Sequence, residues 1–271
     1  RNLTILLLLT LGFGQSQLHH FVELDQPPLR KRGPCISEEQ RQRIQYEVKE
    51  NIDLLIQQGI ISRFNNTKER VLFESPIKAS SNYEAYGTYY ILNYVNHNPD
   101  NPSDLKDWNC GSRTYHRGCD QYYCSHRGTD YILSPFGWNM MYNNSVEAIS
   151  VAEGIIVYKS DNWNDDSCAE NGLPDALDNQ NNIIGITLNN GTFVAYFHLR
   201  QHSLTNKSIG DTVYTGEFLG IIGSSGMSGE PHLHLEIWES EDEWIEGDIE
   251  ASLDPFYGDC NQSNDASLWV D

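Results

Sequence analysis

The segment GEPHLHLEIWES, residues 229–240, places two histidines one residue apart in a run that alternates polar and apolar side chains. Such alternation is typical of a β-strand, in which successive side chains point to opposite faces. His232, His234 and Glu236 therefore share one face of the predicted strand, and the residues between them share the other. A histidine pair of this kind is weak evidence of a site when it stands alone, so its meaning depends on which other residues reach the same face.

Strands are expected to dominate the fold. The chain of 271 residues has 15 Tyr, 9 Phe, 6 Trp and 21 Gly, a composition that favours strands and tight turns. Its length suits one large domain or one domain with an extension. The predicted strands span residues 130–133, 146–151, 154–159, 183–188, 192–199, 218–222 and 232–238. Asn190-Gly191 predicts a two-residue hairpin turn, and we expect a mainly β fold built on antiparallel sheet.

One helix is predicted before the strands. In ISEEQRQRIQYEVKENIDLLIQQG, residues 36–59, Ser37 can cap the helix together with Gln40 three residues later. Aliphatic residues then recur at helical spacing and form one apolar stripe. The stripe consists of Ile44, Val48, Ile52 and Leu55. Gly59 suits the left-handed conformation that ends many helices. The β fold therefore carries a helical N-terminal extension.

The charge balance excludes one class of partner. The chain has 18 basic and 38 acidic side chains, for a formal charge of −20 at pH 7. Binding to nucleic acid requires a basic face that displaces counterions from phosphates, so we expect no nucleic-acid partner. The same balance disfavours electrostatic docking on anionic membranes or wall polymers, and it is typical of a highly soluble extracellular protein.

The first residues predict export. An apolar run over residues 3–13, preceded by one arginine and followed by small and polar residues, is typical of a secretory signal peptide spanning residues 1–17. The run is too short to cross a bilayer and no later segment reaches its length, so no transmembrane segment is expected. Outside the cytoplasm the six cysteines favour disulfides of open connectivity. A thiolate zinc cluster of Cys110, Cys119 and Cys124 is the less favoured alternative.

Two further segments carry residues that can bind a metal or move a proton. In CSHRGTDYIL, residues 124–133, His126 and Asp130 are four apart, a spacing that directs both side chains to one side of a strand. An imidazole nitrogen and a carboxylate oxygen are both zinc donors, and Gly128 between them lets another backbone approach closely. In GTFVAYFHL, residues 191–199, His198 ends an apolar strand, where a lone histidine is more often part of a core.

Taken together, these segments resemble one family of enzymes. The order HxGxD at 126–130, YFHL at 196–199, a glycine-rich turn and PHLHLEI at 231–237 resembles the lysostaphin-type, LytM-like zinc metalloendopeptidases, also called the β-lytic endopeptidase family. The likeness covers residues 123–238, less than half of the chain. It implies that His126, Asp130 and His234 hold one zinc ion per chain, and that His198 and His232 are catalytic.

The resemblance also suggests a role for each histidine. The chain has no HExxH sequence, so the helix-borne glutamate base of many zinc peptidases is absent. His232 is then expected to be the general base and His198 the stabiliser of the oxyanion, with an exchange of the two roles left open. Tyr196 is a lesser candidate for a second donor. Glu236 is either a carboxylate that supports a metal ligand or a solvated strand-end residue.

The resemblance implies a secreted zinc metalloendopeptidase, extracellular or periplasmic, whose open groove accepts peptidoglycan peptides or Gly-rich extracellular proteins. We expect a monomer. The alternatives are a non-catalytic LytM-like regulatory or wall-binding domain and an unrelated zinc hydrolase such as a carboxypeptidase. After the signal peptide, residues 18–75 are expected to form the helical extension, 76–260 the peptidase domain and 261–271 a tail. The extension is either a prosegment, which LRKRG at 29–33 favours as a cleavable linker, or a permanent accessory layer.

Overall fold

A computed structural model of the chain describes residues 38–62, 71–80, 87–98, 101, 104–116, 125–168, 180–247, 251–261 and 263–270. The predicted signal peptide at 1–17 lies outside these residues, as do Ser37, Cys35, Cys119 and Cys124. Within the described ranges, no helix combines the length and the apolar character that crossing a membrane requires.

Strands dominate the described part of the chain. The helices are α1 (Glu38–Gln57), α2 (Gly137–Tyr142) and α3 (Glu241–Glu246). The strands are β1 (Ile77–Ala79), β2 (Tyr89–Asn93), β3 (Thr129–Leu133), β4 (Val146–Ile149), β5 (Gly154–Ser160), β6 (Ile183–Leu188), β7 (Phe193–Phe197), β8 (Thr212–Val213), β9 (Phe218–Ile221) and β10 (His232–Trp238). A seven-stranded sheet has the order β2-β3-β10-β7-β6-β5-β8, and a three-stranded sheet has the order β1-β4-β9.

Each pairing between these strands is antiparallel. The mainly β, antiparallel fold class with a helical N-terminal extension is therefore confirmed. The short elements escaped prediction, since β1 has three residues, β8 has two, and α2 and α3 have six each. Elements of that length contain too few repeats of either side-chain period to stand out from loops.

The predicted hairpin forms, but its turn is longer than expected. Strands β6 and β7 pair antiparallel, and the Leu188 amide donates to the Thr192 carbonyl at 2.8 Å. The connection therefore holds three residues, 189–191, and only Gly191 has a positive φ, at 92°. A three-residue loop that ends on a left-handed glycine is the next most common hairpin turn. The prediction of a two-residue turn was therefore wrong, although Asn190 and Gly191 do lie in the turn of the predicted hairpin.

Helix α1 is packed against the large sheet. Its stripe is buried as predicted, from Val48 at 0% exposed to Ile52 at 6%, and Gly59 has φ 72° just after the helix. The stripe joins one apolar cluster with residues of β5, β6, β7, β10 and α3. Among its partners are Val157, Ile183, Phe193, Phe197, Trp238 and Trp244. A second cluster covers the opposite face of the sheet, so the central strands are buried on both sides.

The two clusters divide the side chains of β10 by face. Leu233, Leu235 and Ile237 belong to the cluster on the side away from α1, and Trp238 belongs to the α1 cluster. Since side chains alternate along a strand, His232, His234 and Glu236 lie on the same face as Trp238. The face that bears the two histidines is therefore the face that α1 covers further along the sheet.

One disulfide joins distant parts of the chain. Cys110 is bonded to Cys260, 150 residues later, as the preference for disulfides predicted. Because Cys110 is bridged, it has no thiolate to offer, and the alternative zinc cluster that included it is wrong. The bond fastens the loop at 104–116 to the C-terminal segment at 251–261.

Neighbouring leucines on α1 provide a matched test of this packing. Leu55 is 4% exposed and Leu54 is 52% exposed. Leu55→Ala should lower the free energy of unfolding by about 2–5 kcal/mol, because it leaves a cavity in the α1 cluster. Leu54→Ala should change it by less than about 0.5 kcal/mol. Urea denaturation of the two variants measures both values, and equal losses would contradict the described orientation of α1.

Candidate metal centre

Strand register brings the candidate ligands together. His234 on β10 lies opposite Asp130 on β3, and Asp130 lies opposite Asn93 on β2. Residues opposite each other in an antiparallel pair point to the same face of the sheet, so this row crosses three strands on one face. His126, just before β3, reaches the same place. His126 and His234 are 1% exposed and Asp130 is 3% exposed, which shields the group from water.

Three side-chain atoms meet at the centre of this group. The Asp130 Oδ1 atom is 2.7 Å from His234 Nδ1 and 3.1 Å from His126 Nε2. The two nitrogens are 3.2 Å apart. These residues form the one group of histidine, cysteine and carboxylate side chains in the described ranges that is arranged to hold a metal ion.

The far side of each candidate ligand is held by a hydrogen bond. His126 Nδ1 lies 2.6 Å from the Tyr94 carbonyl, and His234 Nε2 lies 3.2 Å from Glu236 Oε1. Carbonyl and carboxylate oxygens only accept, so a metal ion at the centre would leave the proton of each ring on these outer nitrogens and take the lone pair of the other ring nitrogen. Asp130 Oδ2 accepts from the Asn93 amide at 2.7 Å. Such partners fix both the ring orientation and the tautomer of a ligand.

The electrostatics of the centre favour a cation. Burial raises the pKa of Asp130, but the neighbouring imidazoles of His126 and His234 outweigh it and hold that pKa well below its usual range. Two imidazole nitrogens and one ionised carboxylate therefore face one another in a buried site. Such a set requires added protons or a metal ion, and two imidazoles with one carboxylate are a donor set that suits zinc.

Glu236 is buried and not solvated. It is 1% exposed, and its carboxylate bonds His234 and the guanidinium of Arg41, at 2.6 Å from the Arg41 Nη2 atom. Burial raises the pKa of Glu236, but the Arg41 charge and the hydrogen bond from His234 hold it well below its usual range. Of the two interpretations of this residue, the supporting carboxylate fits the structure.

His198 and His232 stand beside the three candidate ligands. Their ring centroids are 4.5 Å apart, and His232 Nε2 is 3.9 Å from Asp130 Oδ1. Each ring donates its Nδ1 proton to a backbone carbonyl, at 2.7 Å to Ser225 for His198 and at 2.8 Å to Glu230 for His232. In the neutral rings both Nε2 atoms therefore carry lone pairs, and that of His198 is buried with no hydrogen-bond partner among the residues that the structure describes.

His198 has an unusual backbone conformation. Its φ is 62°, in the left-handed region that non-glycine residues rarely adopt. The residue directly follows β7, and its carbonyl accepts from the Gly223 amide at 3.0 Å. Residues in such conformations persist where the surroundings hold them, and they cluster at functional sites.

The glycine-rich turn delivers β10 into the centre. Gly226 has φ 70°, and a Cβ atom there would lie 2.4 Å from the side chain of Asn181. A Cβ atom on Gly223 would lie 2.6 Å from the backbone of Arg200, and the Gly223 carbonyl accepts from the His232 amide at 3.1 Å. A side chain at either position would clash, so the turn requires glycine beside the Asn181 side chain and beside the Arg200 backbone.

The structure brings all five predicted site residues into one cluster, whereas Tyr196 lies elsewhere. The Tyr196 ring belongs to the apolar cluster on the opposite face of the sheet, and its hydroxyl accepts from the Val151 amide at 2.9 Å. The prediction of Tyr196 as a second donor was wrong. Tyr196 directly precedes Phe197, which lies on the site face, and neighbouring side chains of a strand point to opposite faces. Sequence reasoning also missed Arg41 and Asn93, neither of which lies in a recognisable motif.

Comparison with known proteins agrees with the resemblance found in the sequence. Residues 134–245 match the family described as Peptidase family M23, and this match confirms the resemblance to the LytM-like peptidases. The matched span contains His198, His232 and His234, and it begins just after Asp130. No curated protein sequence matches the chain.

Several solved structures are similar to this chain. The catalytic domain of the antimicrobial peptidase lysostaphin from Staphylococcus simulans is 22% identical, over 49% of this chain and 77% of that one, with a TM-score of 0.31. A zinc-containing peptidase from Vibrio cholerae is 19% identical, over 59% and 36%, with a TM-score of 0.35. The catalytic domain of the prophage-encoded M23 protein EnpA from Enterococcus faecalis is 19% identical, over 58% and 83%, with a TM-score of 0.31.

Gly128 offers a test of the close approach at the candidate ligands. A Cβ atom there would lie 2.3 Å from the Leu235 carbonyl and 2.9 Å from His234 Cε1. Gly128→Ala should therefore displace β10 or the His234 ring, and lower the free energy of unfolding by about 1–3 kcal/mol. At Gly220 the nearest atom would be at 3.5 Å, so Gly220→Ala should cost under about 0.5 kcal/mol. Urea denaturation in chelator compares the two, and an unaffected Gly128→Ala would contradict the geometry.

Proposed function

Since residues 134–245 match a family of peptidases, we propose that this chain is a secreted zinc metalloendopeptidase. One observation carries the proposal: the candidate ligand atoms of His126, Asp130 and His234 converge, with the rings of His198 and His232 beside them. The substrates that we propose are peptide bonds in peptidoglycan cross-links or in Gly-rich extracellular proteins. The Cys110–Cys260 disulfide supports a location outside the cytoplasm.

The proposed ligands are His126 through Nε2, His234 through Nδ1 and Asp130 through Oδ1. A zinc ion held by these three ligands would have room for a water molecule, whose pKa it would lower, and would polarise a substrate carbonyl. The hydrogen bonds from His126 to Tyr94 and from His234 to Glu236 orient both rings so that their inner nitrogens face the place that the metal would occupy. This chain thus supplies a donor set that is already oriented.

His232 is the proposed general base. Its Nδ1 atom donates its proton to the Glu230 carbonyl, so Nε2 is the ring nitrogen that we assign to accept a proton from the attacking water. This residue is 7% exposed, more than the other four site residues, so substrate is expected to reach the centre from its side. Because the five site residues are at most 7% exposed, we propose that the cleaved bond joins small residues, as in glycine-rich substrates.

His198 is the proposed stabiliser of the oxyanion. Its ring is fixed by the Ser225 carbonyl and by the backbone conformation. A proton on Nε2 would give a donor directed at the developing charge, and a donor that is already in place needs no reorganisation during the reaction. The two histidines hold similar positions next to the candidate ligands, so the exchange of their roles is a variant of the same proposal.

The non-catalytic alternative has less support. A LytM-like domain that only binds hydrolases or wall would not need the three ligand atoms and the two adjacent histidines, and this chain keeps all five.

A carboxypeptidase would use the same chemistry but release terminal residues. Analysis of the products on a cross-linked muropeptide distinguishes the two peptidases, because internal cleavage gives fragments of several residues.

Zinc dependence is the first test of the proposal. The purified protein should contain one zinc ion per chain and cleave either purified peptidoglycan or a Gly-rich protein, with products identified by mass spectrometry. A chelator should stop the cleavage, and added zinc should restore it. His126→Ala and His234→Ala should lose the metal, because each removes a nitrogen ligand. A wild-type protein that binds no stoichiometric zinc would contradict the proposal.

A second test separates proton transfer from metal binding. His232→Ala should lower turnover by about 10²- to 10⁴-fold while the zinc content stays at the wild-type level. His202 is an exposed histidine outside the cluster, and His202→Ala serves as the control, with turnover within about twofold of wild type. Loss of zinc together with activity in His232→Ala would assign this histidine to the metal instead.

A further inference from the structure

The carboxylate behind His234 is unusually well satisfied. Glu236 accepts hydrogen bonds from five nitrogen atoms: Arg41 Nη1 at 3.2 Å, Arg41 Nη2 at 2.6 Å, His234 Nε2 at 3.2 Å, Trp238 Nε1 at 3.1 Å and Trp244 Nε1 at 3.1 Å. These donors come from α1, from α3 and from β10 itself. One carboxylate therefore connects the layer of helices to the candidate metal centre.

The charge that balances Glu236 comes from α1. Arg41 is 2% exposed and Glu236 is 1% exposed, and the guanidinium binds both carboxylate oxygens. Burying a charge is costly unless it is paired and hydrogen-bonded. The tryptophans and His234 donate to Glu236 as neutral groups, so Arg41 is the partner that offsets its charge.

Arg41 and His234 share one oxygen atom. Oε1 of Glu236 accepts from Arg41 Nη2 and from His234 Nε2, so a shift of the carboxylate would move the acceptor that fixes the His234 tautomer. The guanidinium also lies 5.9 Å from the centre of the Trp244 ring, which restricts its position. The connection from α1 to the proposed ligand thus passes through one carboxylate.

We propose that Arg41 is a positioning residue for His234, and that α1 is a permanent part of the active peptidase. This inference rests on the proposed zinc site. It concerns a segment outside the 134–245 family match, so the matched span alone would not hold His234 correctly. Of the two expectations for the extension, the permanent accessory layer is the one proposed, and a removable prosegment that includes α1 is rejected.

Zinc affinity in paired arginine variants tests the role of Arg41. Arg41→Met should weaken zinc binding about 10- to 100-fold, the loss typical of a removed partner behind a metal ligand. The zinc affinity of Arg41→Lys should lie between those of Arg41→Met and wild type, because lysine keeps the charge but not the bidentate contact. Arg43 is half exposed on the same helix, so Arg43→Met should bind zinc as wild type does. Competition with a chromogenic chelator at fixed pH measures all four proteins.

A double variant separates positioning from stability. Arg41→Met with Glu236→Gln removes both charges, so no charge stays buried alone and the stability of the zinc-free protein should recover. Zinc affinity should lie below that of Glu236→Gln alone, because the double variant also lacks the guanidinium that holds the acceptor of the His234 proton in place. Recovery of zinc affinity together with stability would assign Arg41 a merely structural role. This comparison also decides the question if Arg41→Met alone does not fold.

The outcomes distinguish this inference from the proposed function. If wild type binds no zinc, the proposed function fails. If wild type binds zinc and the zinc affinity of Arg41→Met equals that of Arg43→Met, only the role of Arg41 is overturned. Amino-terminal sequencing of the active secreted protein gives an independent result: its first residue should lie before Glu38. A fully active protein that starts after Gln57 would contradict a permanent α1.

Discussion

The structure depends on three lone-pair atoms that lie within 3.2 Å of one another in a site closed to water. Each is directed inward because the opposite side of its side chain is held, by the Tyr94 carbonyl, by Asn93 or by Glu236. Without protons on the inner nitrogens such a group would be unfavourable by electrostatics alone, and a bound cation would offset the repulsion. The hydrogen-bonding partners therefore hold an arrangement that is suited to the proposed cation.

The sheet explains how this arrangement is maintained. Central strands buried on both faces have little freedom to slip, since a shift by one residue would exchange every side chain between the two faces. On β10, such a shift would replace His234 with leucine. The face that carries the candidate ligands continues under α1 and α3, and Glu236 marks the boundary between the polar centre and the apolar cluster. Helical packing and site geometry thus share one carboxylate.

Much of this could be predicted from the sequence, for reasons that differ between elements. Helix α1 has a long apolar stripe and a glycine stop, and β10 has seven alternating residues, so local periodicity is sufficient for both. The five site residues were found because their types and order resemble a family. Strands β1 and β8 are too short to show a periodic side-chain pattern. The length of the turn at Gly191 depends on a backbone conformation that Asn-Gly permits but does not impose.

The supporting contacts could not be predicted, because their partners are distant or carry no side-chain pattern. Arg41 and Glu236 are 195 residues apart, and a charged residue near the start of a helix is ordinarily solvated. The acceptors for His126, His198 and His232 are backbone carbonyls, which every residue has. Tyr196 illustrates the converse: its chemistry suits a donor, but its place in the strand alternation directs it into the opposite core.

X-ray absorption at the zinc edge reports the atoms around the metal in solution, so it examines the proposed ligand set itself. Zinc held by His126, Asp130 and His234 should have nitrogen and oxygen neighbours only, with the outer-shell scattering of two imidazole rings. Any zinc that His126→Ala retains should lack the contribution of one ring. Sulfur neighbours, or a spectrum that is unchanged in both His126→Ala and His234→Ala, would contradict this ligand set.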